Sequence, residues 1–294
     1  AFHTPAIRAM PPMVAPEGGL PRTIALSNAT WTAAVILGPI LAGILISIEP
    51  WWAYAGAAVV TSLGLVGLIR VEFLRRPPPP DPSQRPSLRS AVEGLTFIRR
   101  TPVLLAAISL DLLAVLVGGS VALLPVIAKD QLGVGDIAYG WLRAAPGIGA
   151  ALMALWLAVR PIQRRIGRSL LVTVAVFGAA TIVLGLTRSF IIAFATLLIM
   201  HAADMISVYI RSTMLPILTP DEKRGRVLAV ENVFIGGSNE LGAFRAGVVA
   251  QGIGSQATIV LGGVATLAIV GVWTLVFPTM RRADRFSDLE QPSD

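Results

Sequence analysis

The chain has 294 residues, of which 54% are hydrophobic and 14% charged, with a net charge of +7 and a mean hydropathy of +0.73. An ordinary soluble domain carries about 25% charged residues, so this composition points away from one and toward a chain solvated largely by lipid. There is no cysteine and there are two histidines, which rules out a disulfide framework and a thiolate metal site, leaves histidine-based catalysis little to draw on, and predicts no cofactor and no metal.

A membrane-spanning helix needs about 20 mostly apolar residues. Eight stretches meet this, near 24–48, 52–73, 103–127, 138–159, 169–187, 190–210, 227–251 and 257–277. The chain reads as an all-α, multi-pass membrane protein whose first partner is the lipid bilayer. In the first span, Gly38, Pro39 and Gly43 stand near the middle; proline removes a backbone hydrogen bond and bends the helix, and glycines admit close neighbours. Trp51 and Trp52 open the second span and Trp141 the fourth, as an interfacial aromatic belt requires.

The connection 74–101 divides the chain. Pro77–Pro80, with Pro82 and Pro86, predicts an extended, semi-rigid linker. Behind it, Leu88, Val92, Leu95 and Ile98 share one helical face, and Ser90 with Glu93 fits a capping box. This short helix is expected either at the cytoplasmic membrane interface or packed on the protein. Residues 1–73 thus form one section, 74–101 the linker, 102–277 a six-helix section and 278–294 a tail.

Basic residues set the orientation. Arg75, Arg76, Arg85, Arg89, Arg99 and Arg100 lie in 74–101; Arg160, Arg164, Arg165 and Arg168 in 160–168; Arg211, Lys223, Arg224 and Arg226 in 211–226; Arg281, Arg282 and Arg285 in the tail. Arg8 and Arg22 fall on the same side, whereas the opposite connections offer Lys129 and Arg188. The basic loops and the C-terminus are therefore expected on the cytoplasmic side of the membrane. Topology accounts for the basic pI of 10.9, and no nucleic-acid partner is implied.

The chain also resembles itself at an offset of 204, which carries Pro16 to Pro220, Arg22 to Arg226, Asn28 to Asn232, Leu37-Gly38 to Leu241-Gly242 and Ala42-Gly43 to Ala246-Gly247. Parallel repeats of this length belong to transporters whose halves are related by an axis along the membrane normal. Four spans precede the second copy and none precedes the first. Four helices, roughly a hundred residues, are accordingly expected before the first copy.

Three segments carry a resemblance to a known family: GGSVALLPVIAKDQLGVG at 118–135, GWLRAAPGIGA at 140–150 and TPDEKRGRVLAVENVFIGGSNELG at 219–242. The chain resembles a major facilitator superfamily transporter of the bacterial enterobactin (siderophore) exporter-like branch. The resemblance implies twelve helices, eight of them present here, alternating access, and export of a small amphipathic molecule by proton antiport. It also implies that Gly38, Pro39 and Gly43 form the exporters' kink motif, and that Arg164, Arg165, Gly167 and Arg168 form the conserved loop motif. In physical terms, Gly167 permits a tight reversal and the arginines bond helix ends and acidic partners. Arg211, Asp221, Arg224, Gly225 and Arg226 form a second basic loop, with Gly225 as its turn. Both loops are read as a cytoplasmic latch, with a plain topogenic cluster as the alternative. Ala243 and Arg245 stand where the family usually carries acidic residues.

Charged groups within spans are costly without a partner or a purpose. Asp111 lies roughly 12 Å into its span at about 1.5 Å per residue. Glu240 follows Asn239 in a polar run, and Arg245 is deeper in the same helix; Asp204, Arg143 and Glu231 lie nearer span ends. Asp111 and Glu240 are expected to face a central cavity, with one of them carrying the coupling proton. The alternative is a buried ion pair of either carboxylate with Arg245. Asn239, Arg245, Asp204 and Arg143 are further proton or substrate candidates. His201 and Asp204, three residues apart on one face, read as a polar helix–helix contact rather than a metal site, because no further ligands are evident.

No nucleophile–base pattern supports an enzyme, and no phosphate-binding loop supports ATP hydrolysis. The expected partners are lipid, a small-molecule substrate and protons, with the chain a monomer. The other reading is a non-transporting membrane remnant or interaction protein, since a site between two halves needs both.

Overall fold

The computed structural model describes residues 11–16, 19–70, 88–119 and 121–289. Arg8, Arg75, Arg76, Arg85 and the proline-rich run 77–86 lie outside the described residues, as do the side chains of Leu88, Arg89 and Ser90. Two compact units are present, Ala1–Arg85 and Pro86–Asp294.

In the first unit, α1 (Leu20–Ile48) and α2 (Pro50–Ile69) are separated by Glu49 alone, which is extended at φ −160°. Pro50 opens α2, where the missing N–H costs nothing and the fixed φ suits the first turn. Pro39 lies inside α1. Leu26, Trp31, Leu37, Tyr54 and Ile69 turn outward, as side chains do when lipid or neighbouring helices supply the solvent.

The second unit begins with α3 (Leu88–Arg100) and continues through α4 (Pro102–Gly118), α5 (Asp136–Val159), α6 (Ile166–Leu186), α7 (Phe190–Leu218), α8 (Asp221–Ile253), α9 (Ser255–Val276) and the short α10 (Pro278–Arg282). α4 is central, touching α6, α7, α8 and α9; α6 packs on α7 and α9, and α5 on α7. The closest crossings use glycine. A Cβ at Gly149 would lie 2.3 Å from the Leu198 carbonyl oxygen, and one at Gly263 would lie 2.6 Å from that of Gly178. Such approaches let membrane helices gain packing that apolar lipid cannot drive.

Each of the eight predicted spans is mainly helical over its described residues, and seven helical stretches among the described residues are long and apolar enough to cross a membrane. The eighth span lies in α8, whose polar run and Arg245 reduce its apolarity. The helix break at Glu49 is answered at Gly254, where φ is +84°, so the repeat seen in sequence returns in the helix boundaries.

Three boundaries differ from expectation. The third span stops being α-helical at Gly118, and short 3-10, α and π turns then carry the chain through Val121–Gln131. The amide of Gln131 donates to the carbonyls of Leu184 at 3.4 Å and Gly185 at 2.9 Å, satisfying the end of α6. α7 runs on to Leu218, leaving Thr219–Pro220 where a loop 211–226 was expected. α3 starts at Leu88, which puts Ser90 inside its first turn. α3 packs on α8 and α4, with Ile98 buried and Val92 exposed.

Candidate charge cluster and chamber in the six-helix unit

The strongest polar constellation is built around Arg211. Its helix, α7, carries His201, Asp204, Ser207 and Arg211 at successive spacings of three, three and four residues, so the four share one face. Arg211 is 4% exposed. Its Nη2 reaches Asp111 Oδ1 on α4 at 2.9 Å, and its Nη1 donates to Glu231 Oε1 on α8 at 3.4 Å. The Ser207 hydroxyl donates to the same Asp111 oxygen at 3.3 Å. One guanidinium therefore ties three helices together. Arg211 Nε has no partner among the described residues.

Asp204 adjoins this cluster from two sides. With Asp111, Ser207, Thr173, Ala203 and Phe177 it lines a void of about 10 Å³, close to the size that holds a single water. With His201, Asn239, Phe177, Val115 and Ala243 it lines a chamber of about 140 Å³. His201 Nδ1 lies 3.1 Å from the Leu197 carbonyl; as that nitrogen is then the donor, Nε2 is left as an acceptor.

Several expectations are corrected here. Arg211 is not a loop residue of a cytoplasmic gate; it is buried within α7, because Asp111 and Glu231 neutralise it there. Asp111 and Glu240 do not come together. Asp111 is buried, whereas Glu240 is exposed and has no ion pair among the described residues. Neither carboxylate pairs with Arg245. Arg245 Nε instead donates to the Leu116 carbonyl at 2.9 Å and its Nη2 to that of Val117, where α4 ends and its last carbonyls lack helical partners. Arg245→Leu is expected to cost about 1–3 kcal/mol, the range for losing a charged donor's hydrogen bonds to part-buried helix-end carbonyls, read as a lower melting temperature of the detergent-solubilised protein. Arg143 is exposed in the early turns of α5 and joins neither feature. Asn239 and Asp204 both line the chamber, and the Asn239 amide donates to the Ile235 carbonyl of its own helix. Glu231, noted in sequence only as a charge near a span end, proves to be a buried partner. The signal that points to Arg211 is the continuation of the His201–Asp204 stripe to Ser207 and Arg211.

The loop residues are placed as follows. Arg164 Nε lies 3.8 Å from Asp284 Oδ2, and the backbone N–H of Arg165 donates to Asp284 Oδ1 at 3.1 Å. Arg165, at φ +54°, makes the reversal. Gly167 does not: it sits in the first turn of α6, where a Cβ would lie 1.7 Å from the Met280 carbonyl oxygen. Its missing side chain lets α10 approach. Arg168 is exposed. Asp221 and Arg224 pair within the first turn of α8, and Arg226 pairs with Glu93 of α3. Gly225 is helical and makes no turn.

Comparison with known proteins fits this architecture. The chain is 27% identical over 278 residues to a protein of Shigella boydii named enterobactin exporter EntS, and 27% identical over 280 residues to one of that name from Escherichia coli O1:K1, covering 93% of this chain in each case. The chain spans 64% of the length of these curated relatives. A bacterial homolog of the human lysosomal transporter Spinster, solved inward-facing and unoccupied, matches with a TM-score of 0.60 at 14% identity, covering 99% of this chain and 76% of that one; this likeness supports the fold. The major facilitator family model described as a transmembrane secretion effector matches residues 1–293. The chain therefore belongs to the transmembrane secretion effector family of the major facilitator superfamily.

Proposed function

We propose that this chain belongs to a secondary active exporter, which moves a small amphipathic molecule of the siderophore or drug class out across the bacterial inner membrane by proton antiport with alternating access. The observation that carries the reading is Arg211 held between Asp111 and Glu231. In an apolar bundle such charges persist because they are mutually paired, and they mark ion pathways and proton relays. Protonating Asp111 removes one anchor of Arg211 and loosens the tie between α4 and α7. A proton is thereby converted into a change in how helices are held, which antiport requires.

The similarity to enterobactin exporters supports the siderophore class. On this reading residues 1–73 contribute two helices of the first half and residues 102–277 the second half. Gly38, Pro39 and Gly43 bend the first helix, the basic loops and C-terminus lie in the cytoplasm, and Arg164 and Arg165 with Asp284 brace that side.

The test is export from proteoliposomes under an imposed pH gradient. Asp111→Asn is expected to reduce gradient-driven export at least ~10-fold, the effect of about 1.4 kcal/mol on a barrier, while substrate binding persists. Unchanged gradient-driven export in both Asp111→Asn and Glu231→Gln would sink the coupling role. A stably inserted wild-type protein that exports nothing would favour a non-transporting membrane protein.

A further inference from the structure

We infer that Asp204 is a proton relay, linking the chamber beside α8 to Asp111 through one water held between Asp204, Asp111 and Ser207; this rests on the reading above that Asp111 takes the coupling proton. Three observations converge on it. Asp204, Val115 and Phe177 line both the 140 Å³ chamber and the 10 Å³ void, so the two spaces adjoin at Asp204. Asp111 and Ser207, already hydrogen-bonded to each other, line the void but not the chamber. Asn239, an exposed residue, forms part of the chamber wall, so the chamber reaches the surface of the unit. Asp111 thus communicates with the chamber past Asp204.

The sizes suit this arrangement. A chamber of about 140 Å³ admits several waters, whereas the void has room for about one, with carboxylate and hydroxyl groups as its partners. A hydronium in the chamber gives its proton to an Asp204 carboxylate oxygen. Asp204 passes a proton to the bridging water, and that water passes one to Asp111. Asp204 and the bridging water end with as many protons as they began with, the hydronium is left as water, and Asp111 holds the transferred proton. The charged or titratable groups lining the two spaces with Asp204 are His201 from α7 itself and Asp111 from α4, and Asp111 is in turn paired with Arg211 of α7, which also holds Glu231 of α8. From α6, Thr173, Val174 and Phe177 line the two spaces, and α5 contributes no lining residue. His201 Nε2, free to accept, stands at the chamber end of the stripe. Arg211 stands at the other end and blocks further passage with a fixed positive charge.

The experiment follows the infrared carbonyl stretch of protonated carboxyl groups in the purified protein after a rapid pH step. Asp111→Asn identifies the Asp111 band. Asp204→Asn is expected to slow the appearance of that band at least ~10-fold, as about 1.4 kcal/mol on the barrier does. Ala203→Val, which fills the void and changes no titratable group, is expected to slow it comparably with both carboxyl bands retained. A merely structural role for Asp204 would leave these kinetics untouched. Wild-type kinetics in Asp204→Asn, or in a folded Ala203→Val, overturns the relay. The outcome is separable from that of the export reading: export indifferent to a pH gradient, together with Asp204-dependent protonation of Asp111, would discard antiport and keep the relay.

Discussion

Replacing Arg211 with alanine is expected to destabilise the protein by about 3–5 kcal/mol, the cost of breaking a buried ion pair from one side. Asp111 and Glu231 would remain in the bundle without their shared cation. The gain in cavity is secondary; the uncompensated charge dominates, because in an apolar medium the Ser207 hydroxyl on Asp111 is a neutral donor and does not replace the charge of the guanidinium. The expected result is a large fall in melting temperature of the detergent-solubilised protein and loss of export. The triple variant Arg211→Met, Asp111→Val, Glu231→Met separates the two effects. Well-packed apolar side chains of comparable volume often equal or exceed a buried ion pair in stability, so thermal stability should largely return while gradient-driven export should not. A triple variant as unstable as Arg211→Ala would show that packing, rather than charge, is what Arg211 supplies.

Gly149→Val is expected to cost about 1–3 kcal/mol or more, through overpacking at the crossing of α5 and α7. A Cβ there would stand 2.3 Å from the Leu198 carbonyl oxygen, and that oxygen belongs to helix backbone, which cannot turn aside as a flexible side chain would. α5 must move outward, weakening its seam with α7, the helix that carries the charge stripe. Gly236→Ala is the control. Nothing lies within 4 Å of a Cβ at that position of α8, so the substitution should be neutral or stabilising by up to about 1 kcal/mol from helix propensity. Thermal melts of the two variants in one detergent measure the contrast. Equal effects would mean that the α5–α7 crossing is looser than the backbone geometry indicates.

Much of the architecture was legible in the residues. Seven of the eight spans follow from runs of apolar side chains, which a helix needs in order to sit in lipid whatever surrounds it, whereas the eighth, in α8, is interrupted by polar residues. The offset of 204 between the two copies is matched, to within one residue, by the helix boundaries at Glu49 and Gly254. That His201 and Asp204 share a face was legible from spacing alone, because three residues bring side chains to one side of any helix, although the His201 ring bonds to its own helix at the Leu197 carbonyl. The polar-loop logic worked for Arg164 and Arg165, which lie at a real reversal. It failed for Gly167 and Gly225, because a glycine beside arginines has the same appearance in sequence whether it turns the chain, admits a neighbouring backbone or stands idle in a helix.

Arg211 shows the limit most sharply. Read by itself, an arginine at the edge of an apolar run ends the span, since a lone charge is expelled from lipid. Its burial depends on Asp111 and Glu231, carried on two other helices, and nothing local to residue 211 reveals them. Asp111 and Glu240 were grouped for the converse reason: both are acids deep in apolar runs, but one faces the bundle interior and the other the unit's surface. The sequence by itself determined a membrane-spanning, all-helical chain of this family, because length, apolarity and segment similarity are properties of contiguous residues. The tertiary structure alone decided which charges meet, that Arg245 caps α4 instead of pairing with an acid, and that Asp204 adjoins both the chamber and the void. Those outcomes depend on the packing of α4, α6, α7 and α8, which brings together groups far apart along the chain.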